Sequence, residues 1–405
     1  MKILQVNCVY PLGSTGKIVH EIHKGLRKKG ISSVVCYGRG MDVNEDCVYK
    51  TCSDFRGKLN NGLSRLTGLP YGGCKASTKK LISIIEKEKP DVVHLHCINN
   101  HFVNIYQLVQ WLKENQIKTV VTNHAEFFYT ANCSHAFECD QWMVGCKVCP
   151  NLKRATKSLL FDKTAKSYQL MKDAFNGFDE NIVIVSASSW VMERAKKSNI
   201  LKGLKQETIF NGVDVDIFKY HLDKDIYKES RMTGKKVVFH ATAHFTDNLE
   251  HAKGGWAVLK LAEKMQDEPV TFYVAAGRCE LSNPIPKNVV LLGNIKDQRI
   301  LANYYANADL TIVTSKRETF SMPCAESLCC GTPVVGFKAG APEEISIDTY
   351  SEFVTYEDVD SLKTVACKWL KKEDIDKQKL SEEAIGVYSN KQMVDSYMKI
   401  YGDLV

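Results

Sequence analysis

Arg317-Glu-Thr-Phe-Ser-Met-Pro-Cys-Ala-Glu-Ser-Leu-Cys-Cys-Gly-Thr-Pro-Val-Val-Gly-Phe337 carries two carboxylates, Glu318 and Glu326, with seven residues between them. The pattern predicts a loop of small residues between the two, a short helix just after them that Gly331-Thr332-Pro333 stops, and an apolar strand from Val334 to Phe337. Carboxylates accept hydrogen bonds from hydroxyls, and the amides at a helix start lack intrahelical partners and face anions. A ligand built from hydroxyls and phosphates suits such a segment.

Outward from this stretch, short β-branched runs alternate with longer helical patterns, the signal for parallel sheets with crossover helices. The first half offers strands at Lys2 to Asn7, Ser33 to Tyr37, Val92 to His96, Thr119 to Thr122 and Ile182 to Ser186; the second offers Lys236 to Ala241, Thr271 to Ala276, Val289 to Leu292, Leu310 to Thr314 and Pro333 to Phe337. A chain of 405 residues exceeds one ordinary core. The reading is therefore α/β, with two Rossmann-like domains over residues 1–210 and 211–389 that meet at the Asn211-Gly212 turn signal, and a closing amphipathic helix at 390–405.

The apolar fraction of 44% and charged fraction of 25% are those of a water-soluble globular protein, and no apolar run approaches membrane-spanning length. Fifteen cysteines, an odd number scattered through strands and loops, suit a reducing compartment, and the start of the chain has no signal-peptide pattern. A cytoplasmic protein is expected. Residues 1–210 hold 30 Lys and Arg against 18 Asp and Glu, a balance of +12, whereas residues 211–405 carry 24 against 29, or −5. The basic clusters Lys24 to Lys29 and Lys147 to Lys157 suit peripheral contact with anionic lipid or an acceptor bearing a diphosphate. Nucleic acid is excluded as a partner, because no basic stretch is interleaved with stacking aromatics.

Ligands of open α/β sheets bind beyond the carboxyl ends of the strands, so three loops there carry the candidate chemistry. Tyr10 to Lys17 is Gly-rich and leads into a helix from about Ile18 to Lys28; it fits neither phosphate-binding fingerprint, which leaves bare backbone at Gly16 to approach a phosphate or an acceptor sugar. Thr122-Asn-His-Ala-Glu126 puts His124 directly after an apolar strand. Lys253 precedes a helix that starts near Gly254-Gly255, after the strand ending at Ala241. A separate group, Cys133, Cys139, Cys146 and Cys149, lies in the aromatic-rich segment 129–150; four thiols ending in Cys-x2-Cys match a structural zinc site in composition, with His135 able to replace one, while disulfides and free thiols remain alternatives.

The Glu-x7-Glu segment, with its flanking Thr319-Phe320-Ser321 and Gly331-Thr332-Pro333, resembles the motif of retaining glycosyltransferases of family 4, and the Gly-rich loop, the His after its strand, Lys253-Gly254 and Asn211-Gly-Val-Asp214 resemble that family's other landmarks. The resemblance covers nearly the whole chain. It implies the GT-B fold, two Rossmann-like domains with parallel sheets facing across a cleft and a last helix crossing back to the first domain. It implies a UDP- or GDP-sugar donor and a saccharide or lipid-linked saccharide acceptor, with no cofactor for the chemistry. Carried over residue by residue, Glu326 serves the ribose, Glu318 the donor sugar, Lys253 the diphosphate, and His124 the sugar; Gly16, Thr319, Phe320 and Ser321 complete the donor site. An Arg that often precedes the Lys is absent from Val237 to Ala252, which leaves His244, His251 or backbone amides near Phe320 to replace it. The family's acid directly after His is also displaced by one position, to Glu126. The four cysteines resemble an insertion in a bacterial exopolysaccharide and colanic-acid subgroup, for which structural zinc is the expectation. Rival readings on the same fold are a sugar-nucleotide epimerase, a phosphorylase and a non-catalytic sugar-nucleotide-binding scaffold.

Overall fold

The runs rich in Val, Ile and Leu become the inner strands of two parallel sheets in the computed structural model, which describes residues 1–221 and 226–405. Two units emerge, Met1–Phe210 with Met393–Val405, and Asn211–Gln392.

In the first unit, β1 (Lys2–Asn7), β2 (Ser32–Tyr37), β3 (Val48–Lys50), β4 (Val92–Leu95), β5 (Thr119–Asn123), β6 (Ile182–Ser186) and β7 (Lys205–Thr208) lie in the order β3-β2-β1-β4-β5-β6-β7, every pair parallel. Both faces of the inner strands are covered, so they read as continuous apolar runs rather than alternating ones. The helix Ser14–Lys28 buries Ile18, Val19, Ile22 and Leu26, and the helix Asn390–Leu404 buries Met393, Tyr397, Ile400, Tyr401 and Leu404 in a cluster with Ile3, Val92 and Val120. Each such large apolar side chain stabilises the fold by about 1.5 to 3 kcal/mol.

The second unit repeats the scheme with β8 (Lys236–Thr246), β9 (Val270–Glu280), β10 (Val289–Gly293), β11 (Leu310–Val313), β12 (Val334–Phe337) and β13 (Ser351–Val354), in the order β10-β9-β8-β11-β12-β13, again wholly parallel. Strand order reverses between β1 and β4 in one sheet and between β8 and β11 in the other. Loops part there, and a crevice opens beyond the strand ends.

Three strands escape the sequence reading: β3, β7 and β13 are short edge strands, and Lys205-Gln-Glu-Thr208 carries no apolar side chain at all. An edge strand is partnered on one side only, so burial does not dictate its composition. The reading also ends β8 and β9 too early, at Ala241 and Ala276; both continue to pair through His244 with Arg278 and Thr246 with Glu280. The first helix starts at Ser14 rather than near Ile18, with Gly13 at φ 77° leading into it. Among the described residues no helix is long and apolar enough to cross a membrane.

Candidate active site

Lys253 and Glu318 meet at the switch point of the second sheet. The chain leaving β8 reaches Lys253 and the chain leaving β11 reaches Glu318, and the ammonium donates to Glu318 Oε1 at 2.6 Å. Two contacts bring these loops together. The amide of Lys316 donates to the Ala252 carbonyl, and Gly254, at φ +65°, lies so close to Thr314 that a Cβ would fall 1.9 Å from its carbonyl oxygen. Any side chain there would push the loops apart. Glu318 is 17% exposed and its backbone is held by Ala339 and Ala341. The neighbouring carboxylate raises the pKa of Lys253, so the ammonium stays charged across the neutral range.

Glu326 corrects the sequence reading: the helix spans Met322–Cys329, so this carboxylate is on the helix and not ahead of it. It lies beside the buried Tyr305, whose hydroxyl is pushed well up by burial and by that negative neighbour. Thr319 is half-buried, while Phe320 and Ser321 are buried at the helix entrance. Ser321 holds φ 83°, ψ 81°, an unusual conformation for a residue with a Cβ, and backbone strain of this kind is stored where surrounding structure holds it. The Cys324 and Ala325 amides close the first turn on the Ser321 carbonyl.

His244 is already engaged, with Nε2 2.9 Å from Glu280 Oε2, and Arg278 also pairs with Glu280. Arg278 is a basic group the sequence reading missed. It sits on the part of β9 that runs beyond the predicted strand, and no motif marks it.

In the first unit, His124 follows β5 and joins a buried polar ladder. His124 Nε2 is 3.1 Å from His96 Nδ1, His96 Nε2 is 3.2 Å from Gln5 Oε1, and the rings of His94 and His96 are 3.7 Å apart. His94 reaches the Tyr401 hydroxyl at 2.6 Å and Thr122 Oγ1 at 2.7 Å, and Thr122 in turn meets Tyr397. Burial lowers the His124 pKa to about 4, so it presents a neutral imidazole at pH 7. Gly16 falls in the first turn of its helix, where a Cβ would press on the backbone of Val9 and Pro11. Close packing of this loop is thus one reason for glycine there.

Glu126 has a structural task. It is fully buried, accepting from Arg194 Nε at 2.7 Å, from the Tyr129 hydroxyl at 2.7 Å and from the Ala136 amide at 2.5 Å. Arg194 also stacks on Trp142 and Trp190, each 4.8 Å from the ring centre. The carboxylate therefore ties the cysteine-rich segment to the helix Ser189–Lys197.

The four cysteines of that segment are free. Burial, then the nearness of the other three, pushes the Cys133 thiol up to about 12, and Cys146 likewise rises to about 12. Among the described residues, however, no group of three or more His, Cys, Asp and Glu side chains is disposed to hold a metal ion.

The family model described as "Glycosyltransferase Family 4" matches residues 15–217, half of the chain, and that of "Glycosyl transferases group 1" matches residues 235–387. The chain is 24% identical over 430 residues to WcaC of Escherichia coli (strain K12), a protein named for glycosyl transfer in colanic acid biosynthesis, covering 100% of both chains. Among solved structures it is similar to sucrose-phosphate synthase from Thermosynechococcus elongatus, with a TM-score of 0.68 at 15% identity over 100% of this chain and 98% of that one. It is also similar to Anabaena HepE in complex with UDP-glucose, with a TM-score of 0.61 at 15% identity over 99% and 100%. The shared fold is GT-B.

Proposed function

This chain belongs to glycosyltransferase family 4, and we propose from that premise that it is a retaining enzyme that moves a sugar from a nucleotide-sugar to a lipid-linked saccharide during assembly of a surface polysaccharide. The Lys253–Glu318 contact at the switch point carries the reading, because it sets a cation and a carboxylate at the strand ends where such a fold takes its ligands. A UDP-sugar is the first donor to try, since HepE holds UDP-glucose on the same fold. Assembly of a surface polysaccharide is supported by the likeness to WcaC.

In this proposal Glu326 accepts from the ribose hydroxyls, Glu318 from the donor sugar, and Lys253 and the amides near Phe320 and Ser321 meet the diphosphate; Thr319 lines the same loop. His124 offers its neutral imidazole to the sugar, and Gly16 leaves backbone free for the phosphate or the acceptor. The acceptor oxygen bonds to the anomeric carbon on the face from which the diphosphate leaves. The carbon–oxygen bond to phosphate breaks, and the acceptor's proton passes to the leaving phosphate oxygen. No enzymic nucleophile and no metal takes part, so the protein's contribution is position and charge. NMR of the first product should show the anomeric configuration of the donor, with turnover unaffected by a chelator in folded enzyme. An inverted product, or a strict need for added Mg²⁺ or Mn²⁺, would contradict this mechanism. A sugar-nucleotide-binding scaffold would bind donor and yield no product.

Structural zinc at Cys133, Cys139, Cys146 and Cys149 is a proposal from donor chemistry alone, four thiols within one loop. It requires the side chains to draw together around the ion. Metal analysis of protein purified without added zinc should find about one ion per chain, since structural zinc supplies folding free energy directly. Four freely titrating thiols and no metal would contradict it.

A further inference from the structure

The helix Asp54–Thr67 is built inside out. Its inward face buries Gly57 and Ser64, whereas Phe55, Leu59, Leu63 and Leu66 are between 48% and 77% exposed. At 3.6 residues per turn these four fall within about 80° of one another on the side facing away from the core. A helix that used its apolar stripe for folding would turn it the other way. Beside it the segment carrying Leu159, Leu160 and Phe161 is also exposed, and it is fastened to the helix end. The Leu159 amide donates to the Arg65 carbonyl at 2.8 Å, and a Cβ on Gly68 would fall 2.2 Å from the Phe161 carbonyl oxygen. Seven exposed apolar side chains therefore lie on the helix and on the segment bonded to its end.

The rim of that face is basic. Arg56 flanks the helical stripe on one side and Lys58 and Arg65 on the other, while Lys153, Arg154, Lys157 and Lys163 are exposed around the second segment. Asp54 and Asp162 are the acids of these two stretches, and both are occupied: Asp54 accepts from the Gly40 amide, and Asp162 from the Cys149 and Thr164 amides. Apolar side chains ringed by Lys and Arg fit the boundary of a bilayer, where the rings and methyls enter the acyl region and the cations meet phosphate headgroups. The cluster at Lys24 to Lys29 is a poorer match. Arg27 pairs with Glu45 and Lys29 with Asp395, and no exposed apolar stripe accompanies them.

We propose that the face formed by the helix Asp54–Thr67 and residues 159–161 docks on an anionic lipid surface, holding the enzyme where a lipid-linked acceptor is carried. The location of the acceptor rests on the function proposed above, whereas the docking face stands on its own geometry. Flotation of the full chain with vesicles of phosphatidylcholine alone or with phosphatidylglycerol tests it. The expected result is binding to the anionic vesicles that falls as salt rises, at least tenfold weaker for Leu59→Asp/Leu63→Asp and for Arg56→Glu/Lys58→Glu, and little changed for Arg27→Glu/Lys28→Glu/Lys29→Glu. Arg56, Lys58, Leu59 and Leu63 are exposed, so unchanged melting temperatures verify the folds of those variants, and circular dichroism verifies that of the Arg27 variant, which loses the pairs with Glu45 and Asp395. No binding to anionic vesicles, binding equal on neutral ones, or loss confined to the Arg27 variant would overturn the assignment. So would a dimer that Leu59→Asp/Leu63→Asp dissociates without any effect on vesicles. Stabilisation by nucleotide-sugars is read in the same proteins: if it persists while vesicles are ignored, the docking face fails and the transferase reading stands.

Discussion

Lys253→Ala should lower kcat/KM by roughly thirtyfold to a thousandfold, about 2 to 4 kcal/mol of transition-state stabilisation, the cost of losing one preorganised charged donor. The argument begins at Gly254, whose lack of a side chain lets the Lys253 loop lie against Thr314. That approach sets the ammonium 2.6 Å from Glu318, and the carboxylate in turn keeps it protonated. A fixed cation matters most as the diphosphate departs, because negative charge then grows on the leaving oxygens. Most of the loss should therefore appear in kcat. Steady-state kinetics with saturating acceptor measure it. Unchanged kcat with a lowered melting temperature would reduce Lys253 to a structural partner of Glu318.

The second large effect is on stability. Glu126→Ala should destabilise the first unit by about 3 to 5 kcal/mol, because it leaves the Arg194 guanidinium, with 14% of its side chain exposed, without its counter-charge. The Tyr129 hydroxyl and the Ala136 amide lose their acceptor at the same time. Glu126→Gln keeps an acceptor but removes the charge, so it should fall between wild type and Glu126→Ala. Urea unfolding resolves the series. A loss below about 1 kcal/mol for Glu126→Ala would mean that water or a shifted Arg194 relieves the buried charge.

Much of the fold was legible because buried parallel strands leave an unambiguous trace. Val92-Val-His-Leu95 and Ile182-Val-Ile-Val-Ser186 are covered on both faces, so their composition is dictated by burial. Lys205-Gln-Glu-Thr208 pairs along β6 through its backbone, and a backbone pairing leaves no mark on side-chain chemistry. The second-domain loops were legible for a different reason: a lysine directly before a glycine pair and two spaced carboxylates are local features. Tyr305 beside Glu326, Arg278 on the extension of β9, and the ladder from Gln5 through His96 to His124 were not legible. Each arises from residues far apart in sequence that a sheet brings side by side. The inside-out helix at Asp54–Thr67 was hidden too. Periodicity shows an apolar stripe but not which side of the helix the core occupies.

Titration of UDP- and GDP-sugars into wild-type protein and into Glu326→Ala, followed by thermal shift, tests the central claim most directly, because a ligand of the folded state raises the melting temperature with its occupancy. At least one nucleotide-sugar should stabilise the wild type, and that stabilisation should be lost or shifted to far higher concentration in Glu326→Ala. Indifference of the wild type to every nucleotide-sugar, or equal stabilisation of both proteins, would contradict the donor site assigned to Glu318, Glu326 and Lys253.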